Sequence, residues 1–258
     1  MRQPLSQVLS ETGRPDVLVL GAGQAGLTAA VAAAQQGARV LVIEKLAHPG
    51  GSTAMSSGLT AYAGTDEQRA LGIEDTAESL KADILATGQH RNDEALVDVY
   101  CREQLTTYRW LKELGVEYGH VHAASGQSVP RSHATDPSRM IDTLAKRAEE
   151  LGVRILFGIR AFSLLRDGDD VAGVLVENGG SLVEVEAGSV VITTGGFSRN
   201  LELLDRFVPQ MVHAIHGGSP GSEGDGLLMG WKAGADFRDT PYVKGTFGIH
   251  PGDDPREN

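Results

Sequence analysis

The chain has 258 residues, with 23 basic and 34 acidic side chains and a formal net charge of −11. That charge excludes the basic footprint that DNA and RNA binding need, and a content of 41% hydrophobic and 22% charged residues excludes a disordered chain. Glycine, at 33 residues, is close to twice its ordinary share and follows no collagen period, which points to tight turns and to backbone lying close to a ligand.

The lone cysteine, Cys101, excludes an internal disulfide and a cysteine-only metal cage, and it suits a reducing, cytoplasmic setting. The most apolar stretch, residues 17–34, is broken by three glycines and Gln24, so no membrane span is expected. Residues 1–14 lack the apolar run of a signal peptide and read as a polar lead-in.

Residues 16–20 (DVLVL) form a short apolar run ending at a glycine, the pattern of a buried parallel strand. An Ala-rich helix is expected over 25–36, stopped by Gly37, and 39–43 (RVLVI) reads as a second buried strand. Strand, glycine turn, helix and strand within about 30 residues make a βαβ unit. Helical patterns follow over 74–87, 92–114 and 137–151. Asn92 is the expected cap of the second and Gly115 its stop; Asp136 caps the third, with Pro137 in its first turn and Gly152 after its end. A strand over 153–157 (VRILF) comes next. The runs 161–165, 171–177 and 182–186, separated by Gly168-Asp169-Asp170 and Asn178-Gly179-Gly180, predict an antiparallel meander. Residues 189–193 (SVVIT) return as a buried strand, and 226–233 predicts a helix.

The segment Gly21-Ala22-Gly23-Gln24-Ala25-Gly26 matches G-x-G-x-x-G between a predicted strand and helix, the context that motif requires. Gly21 permits the tight turn, Gly23 lets a pyrophosphate approach the backbone, and Gly26 lets helix and strand pack closely. The helix N-terminus then offers free N–H donors and a partial positive charge. Glu44 ends the second strand, 18 positions after Gly26, where a carboxylate accepts from ribose hydroxyls and repels a 2′-phosphate. NAD and FAD are both compatible with this pattern.

The next segment is small, polar and glycine-rich. Glu44-Lys45, then Gly50-Gly51-Ser52-Thr53 with Ser56-Ser57-Gly58, together with the glycine motif, resembles the fumarate reductase/succinate dehydrogenase flavoprotein family. Its relatives include 3-oxosteroid 1-dehydrogenases and tricarballylate dehydrogenase. Arg131-Ser132-His133 is similar to the family's central stretch, Thr193-Thr194-Gly195-Gly196-Phe197 to its A-T-G-G-F signature, and Gly224-Asp225-Gly226 to its G-D-G helix. The resemblance implies that Ala25 and the glycine turn hold pyrophosphate and that Glu44, beside Lys45, holds the adenosine ribose. It implies that Gly51, Ser52, Thr53, Ser57 and Gly58 line the pyrophosphate and flavin, and that Ala161 presents backbone to adenine. Thr194, Gly195 and Gly196 would let the chain pass close to the dinucleotide, and Asp225 would reach it near the flavin, as a helix N-cap or as a cofactor contact.

Two departures accompany the resemblance. Family members continue through a capping domain and a C-terminal segment that completes the flavin site, and the arginine that donates the proton in the reductases lies beyond the matched region. A fragment, or completion by another chain, is therefore expected. The reductases also carry a Tyr-x-x-x-His-Pro stretch whose His binds substrate. Here Tyr242 is followed by Thr246 at that position, with His250-Pro251 later, so Thr246 and His250 are the substrate-side candidates.

His120-x-His122 and His213-x-x-His216 lack a carboxylate or thiol at ligand spacing, so no metal site is expected. Arg131 and His133 read equally as active-site groups or as a solvated loop pair. Cys101 reads as a buried structural thiol, and Tyr108 and Trp110 as helix packing. No G-x-S-x-G elbow is present, which argues against a serine hydrolase.

The expected fold is α/β: a glutathione-reductase-like, FAD-binding Rossmann-type parallel sheet with an antiparallel β-meander, truncated at the start of a capping domain. The FAD-binding domain would span 15–235, and 236–258 would begin the substrate domain. The implied activity is that of an FAD-dependent oxidoreductase, with hydride transfer at a C–C bond adjacent to a carbonyl or carboxylate. Its partners would be a small unsaturated or saturated acid or ketone and an electron donor or acceptor. Two alternatives stay open on the residues alone: a compact NAD-binding enzyme of the thiazole synthase type, and a non-catalytic dinucleotide-binding module.

Overall fold

Short aliphatic runs separated by glycine-flanked helices set the course of the chain, and a computed structural model describes residues 5–243. A first helix, α1 (Leu5–Thr12), leads into β1 (Val17–Leu20), α2 (Gln24–Gln35), β2 (Val40–Glu44) and the single turn α3 (Gly51–Ala54). Then come β3 (Leu59–Ala61), α4 (Asp66–Ala70), α5 (Ala77–Thr87), α6 (Glu94–Glu113), β4 (Val121–His122), β5 (Ser132–Ala134) and α7 (Pro137–Glu150). The chain closes with β6 (Arg154–Phe157), β7 (Arg160–Asp167), β8 (Asp170–Asn178), β9 (Ser181–Glu186), β10 (Ser189–Ile192), α8 (Leu201–Phe207) and α9 (Asp225–Lys232). It divides into two units, one running to Met55 and resuming at Leu144, the other formed by Ser56–Thr143. The sequence reading, which gave 15–235 a single body, did not separate them.

In the first unit, β10, β1, β2 and β6 pair in that order, all parallel. All five residues of β2 are buried, as a strand covered on both faces requires. Leu27, Ala30 and Val31 of α2 are fully buried. Asp16 accepts from the Arg39 amide at 2.8 Å and its guanidinium at 2.9 and 3.1 Å, tying the starts of β1 and β2. These hydrogen bonds hold the Asp16 carboxyl down at about 2. Strands β7, β8 and β9 form the expected antiparallel meander, with a register shift between Ala161 and Ser163. One core runs from Leu18, Leu20, Leu41 and Ile43 to Val174, Val176 and Val185 of the meander.

That core also takes Leu5 and Val8, with Leu9 packed against it, so residues 5–12 are not a polar lead-in. Positions 5, 8 and 9 follow the i, i+3, i+4 spacing of one helical face, and their burial outweighs the polar residues between them.

In the second unit, β3, β5 and β4 form a small antiparallel sheet and α5 packs on α6. Thr76 caps α5 through its hydroxyl. Asp93, not Asn92, caps α6, accepting from Ala95 N–H at 3.0 Å. The carboxylate is the stronger acceptor, and its charge complements the helix N-terminus. Asp136 caps α7 as expected, through the amides of Ser138 and Arg139.

Candidate functional site

The site begins where β1 ends. Gly21 turns the chain at φ +108°, where a side chain would meet the Thr193 carbonyl oxygen at 2.6 Å. At Gly26 a methyl would collide with the Gly21 carbonyl oxygen and the Thr193 hydroxyl at 2.6 Å. Helix α2 opens on Gly23, which has no side chain to cap it. The first-turn N–H groups of Ala25 and Gly26 have no protein acceptor among the described residues, and Gln24 N–H reaches only Thr53 Oγ1, at 3.4 Å. A parallel bridge between Gly23 and Gly50 brings Gly51, Ser52 and Thr53 to the same point. An uncapped helix start with glycine in front of it is an anion cradle.

Glu44 closes β2 almost fully buried. Its Oε2 accepts from Ala22 N–H and its Oε1 from Leu46 N–H, both at 2.8 Å. A carboxylate offers about four acceptor positions, so two remain after these bonds. Ala22 is fully buried and serves through this amide.

The opposite wall comes from segments distant in sequence. Thr193 donates to the carbonyls of Leu20 at 2.8 Å and Gly21 at 3.2 Å, while Thr194 Oγ1 accepts from Gly226 N–H at 2.9 Å. Gly195 turns at φ +78°, and the Gly196 carbonyl accepts from Gly224 N–H at 3.0 Å. Ser52 Oγ lies 3.2 Å from Ser222 Oγ and accepts from Ser219 N–H at 3.1 Å. Ala161 sits beside the β7 register shift, still paired with Val176, while Phe162 is the residue left out of the ladder. Asp225 is the first residue of α9 rather than its cap. Gly224 holds the cap position with φ +79°, and the Asp225 carboxylate pairs with Lys45 and Arg160.

Together these residues line one cleft, open to solvent. Gly21, Gly23, Ala25, Glu44, Lys45, Gly51, Ser52, Thr53, Ala161, Thr194, Gly195 and Asp225 all line it. Gly26 and Ala22 pack behind the turn, and Gly196 braces Gly224. Ser57 and Gly58 belong to the second unit, where Gly58, at φ +68°, leaves no room for a side chain beside the Thr135 carbonyl. Thr246 and His250 lie outside the described residues. Sequence reasoning did not single out Ser219, Gly221 and Ser222 in the cleft wall, nor Arg160 and Glu223 beside it. The serine-glycine texture just before G-D-G was the available signal. Among the described residues no group of three or more His, Cys, Asp or Glu could hold a metal, and no helix is long and apolar enough to cross a membrane.

A parallel sheet with a glycine-turned helix start at its carboxyl edge, beside an acid at the end of the next strand, defines a dinucleotide-binding α/β domain. The chain belongs to the FAD binding domain family, whose profile matches residues 16–250. It is 32% identical over 235 residues to a probable fumarate reductase, Ifc3, of Shewanella frigidimarina, covering 88% of this chain and 40% of that protein. The structure of the open conformation of a flavocytochrome c3 fumarate reductase superposes with a TM-score of 0.83 at 30% identity, over 91% of this chain and 44% of that one. A 3-ketosteroid-Δ4-(5α)-dehydrogenase from Rhodococcus jostii RHA1 gives 0.80 at 27% identity, over 92% and 57%. The chain spans about two-fifths of the length of the curated relatives it matches first. The uncapped α2 start, the glycine cradle and the spare acceptor capacity of Glu44 fit FAD, the cofactor of this family.

Proposed function

We propose that this domain is the cofactor-binding part of an FAD-dependent oxidoreductase acting at a C–C bond adjacent to a carbonyl or carboxylate, of the fumarate reductase or ketosteroid dehydrogenase type. The observation that carries the reading is the pairing of the uncapped α2 start, where Ala25 N–H is free at the cleft, with the Glu44 carboxylate across that cleft. FAD, when bound, supplies the hydride chemistry. The chain's own residues bind and orient. The α2 amides hold the pyrophosphate charge, and Glu44 accepts from the adenosine ribose. The backbone of Ala161 meets adenine. Ser52 and Thr53 line the pyrophosphate and flavin, and Thr194, Gly195 and Gly196 keep the facing strand end narrow.

The substrate would be a small saturated or unsaturated acid or ketone, by analogy with the fumarate and steroid named for the relatives. Thr246 and His250 are its proposed contacts. An electron donor or acceptor completes the reaction, and the single cysteine suits a cytoplasmic setting. Purified protein should show the visible absorption of a flavin and release FAD on denaturation. Release of NAD instead would overturn the reading.

A further inference from the structure

Four charged side chains meet beside the cleft in an arrangement that the cofactor contacts above leave unexplained. Lys45 follows Glu44 at the end of β2, Arg160 opens β7 directly before Ala161, and Glu223 and Asp225 flank the turn into α9. Lys45 Nζ lies 2.7 Å from Asp225 Oδ2 and 2.9 Å from Glu223 Oε2. Arg160 Nη2 lies 2.5 Å from Asp225 Oδ1 and 3.2 Å from Glu223 Oε2. Each cation thus meets both anions, and each Asp225 oxygen is held by a different cation.

Stability alone is a weak explanation for this clasp. The side chains of Arg160 and Glu223 are 42% and 40% exposed, and ion pairs so placed contribute little. What the clasp fixes is direction. Gripped from two sides, the Asp225 carboxylate cannot rotate, and Lys45 is pinned between two acceptors. The backbones next to these side chains carry Glu44 and Ala161, so three cleft-lining segments are tied at one point.

We infer that Arg160 and Glu223 are positioning residues for FAD: they hold Asp225 and Lys45, and with them the Glu44 and Ala161 segments, in the arrangement that receives the dinucleotide. The inference rests on the reading of the cleft as an FAD site. It differs from a simple charge effect in a measurable way. The clasp is electrically neutral as a set. If only its field mattered, losing the Glu223 charge would favour an anionic pyrophosphate and losing the Arg160 charge would disfavour it. Positioning predicts the same sign for both.

The test is FAD titration of the protein and of its Arg160→Gln and Glu223→Gln variants, followed by flavin fluorescence, with thermal unfolding of each cofactor-free form alongside. Both variants should raise the FAD Kd about tenfold, equivalent to about 1.4 kcal/mol. Arg160→Lys should recover most of the loss, since the guanidinium meets both carboxylates through one nitrogen. Tighter binding by Glu223→Gln would overturn the inference in favour of a field effect. A lowered melting temperature with unchanged Kd would overturn it in favour of a structural role. If the unsubstituted protein bound no FAD, the site reading itself would fail and this inference with it. Normal binding in the parent and both variants would sink the inference alone.

Discussion

The cleft of the first unit and the polar interior of residues 56–143 are built from similar side chains and use them in opposite ways. In the second unit Arg131 is fully buried, 2.9 Å from Asp75 and 3.0 Å from Asp83, and it donates to Ser79 Oγ at 3.0 Å. His133 is also fully buried. Its Nδ1 lies 2.8 Å from the Arg131 carbonyl, which can only accept, so Nδ1 carries the proton and Nε2 accepts from the Thr65 hydroxyl at 2.8 Å. Tyr62, Tyr108 and Tyr118 pack around that ring, and burial pushes their hydroxyls above the usual phenol range. Most of the polar capacity there is consumed inside the protein. In the cleft, helix amides and carboxylate lone pairs are left open behind glycines. Burial with internal partners marks a structural network, and capacity left open at a cleft marks a ligand site.

The comparison would break first at Arg131. Arg131→Met leaves Asp75 and Asp83 without their cation, and losing one partner of a buried pair should cost about 3–5 kcal/mol in denaturant unfolding. FAD affinity of the folded protein should stay unchanged. Unchanged stability would mean that the Arg131 pairs with Asp75 and Asp83 do not hold the second unit together. In the cleft, Gly26→Ala drives a methyl into the Gly21 carbonyl, and overpacking of this kind should cost about 1–3 kcal/mol. This variant should also lose FAD, which distinguishes it from Arg131→Met. Glu44→Gln offers one carbonyl where the amides of Ala22 and Leu46 need two acceptors, so it should lose about 1–2 kcal/mol of stability and weaken FAD binding. Wild-type affinity would remove Glu44 from the site.

The smallest expected effect is a pH dependence. Burial lowers the pKa of His133 below its ordinary 6.5, so in mild acid the unfolded chain binds a proton that the folded chain refuses. Stability should therefore fall as pH drops below about 6.5, by no more than about 1.4 kcal/mol per pH unit. His133→Gln should flatten that slope. An identical slope in the variant would place the proton elsewhere.

The parallel sheet, the glycine turn and the meander were legible because each rests on local pattern: aliphatic runs, glycines at fixed offsets and alternation between turns. Glu44 and Asp225 were legible through their spacing from motifs. Helix α1 was missed because its three apolar positions are spread among polar residues and gain burial only against the distant meander. Arg131 and His133 stayed ambiguous because their partners Asp75, Asp83 and Thr65 lie dozens of positions upstream, beyond any local period. The Lys45–Asp225 and Arg160–Glu223 contacts are tertiary for the same reason.

The central claim is that the Gly21–Glu44 cleft is an FAD site, and titration of cofactor-free protein with FAD, NAD and NADP tests it most directly. The prediction is saturable binding of one FAD per chain, with a matching rise in melting temperature and much weaker response to either nicotinamide dinucleotide. Preferential binding of NAD, or no saturable binding of FAD, would contradict it.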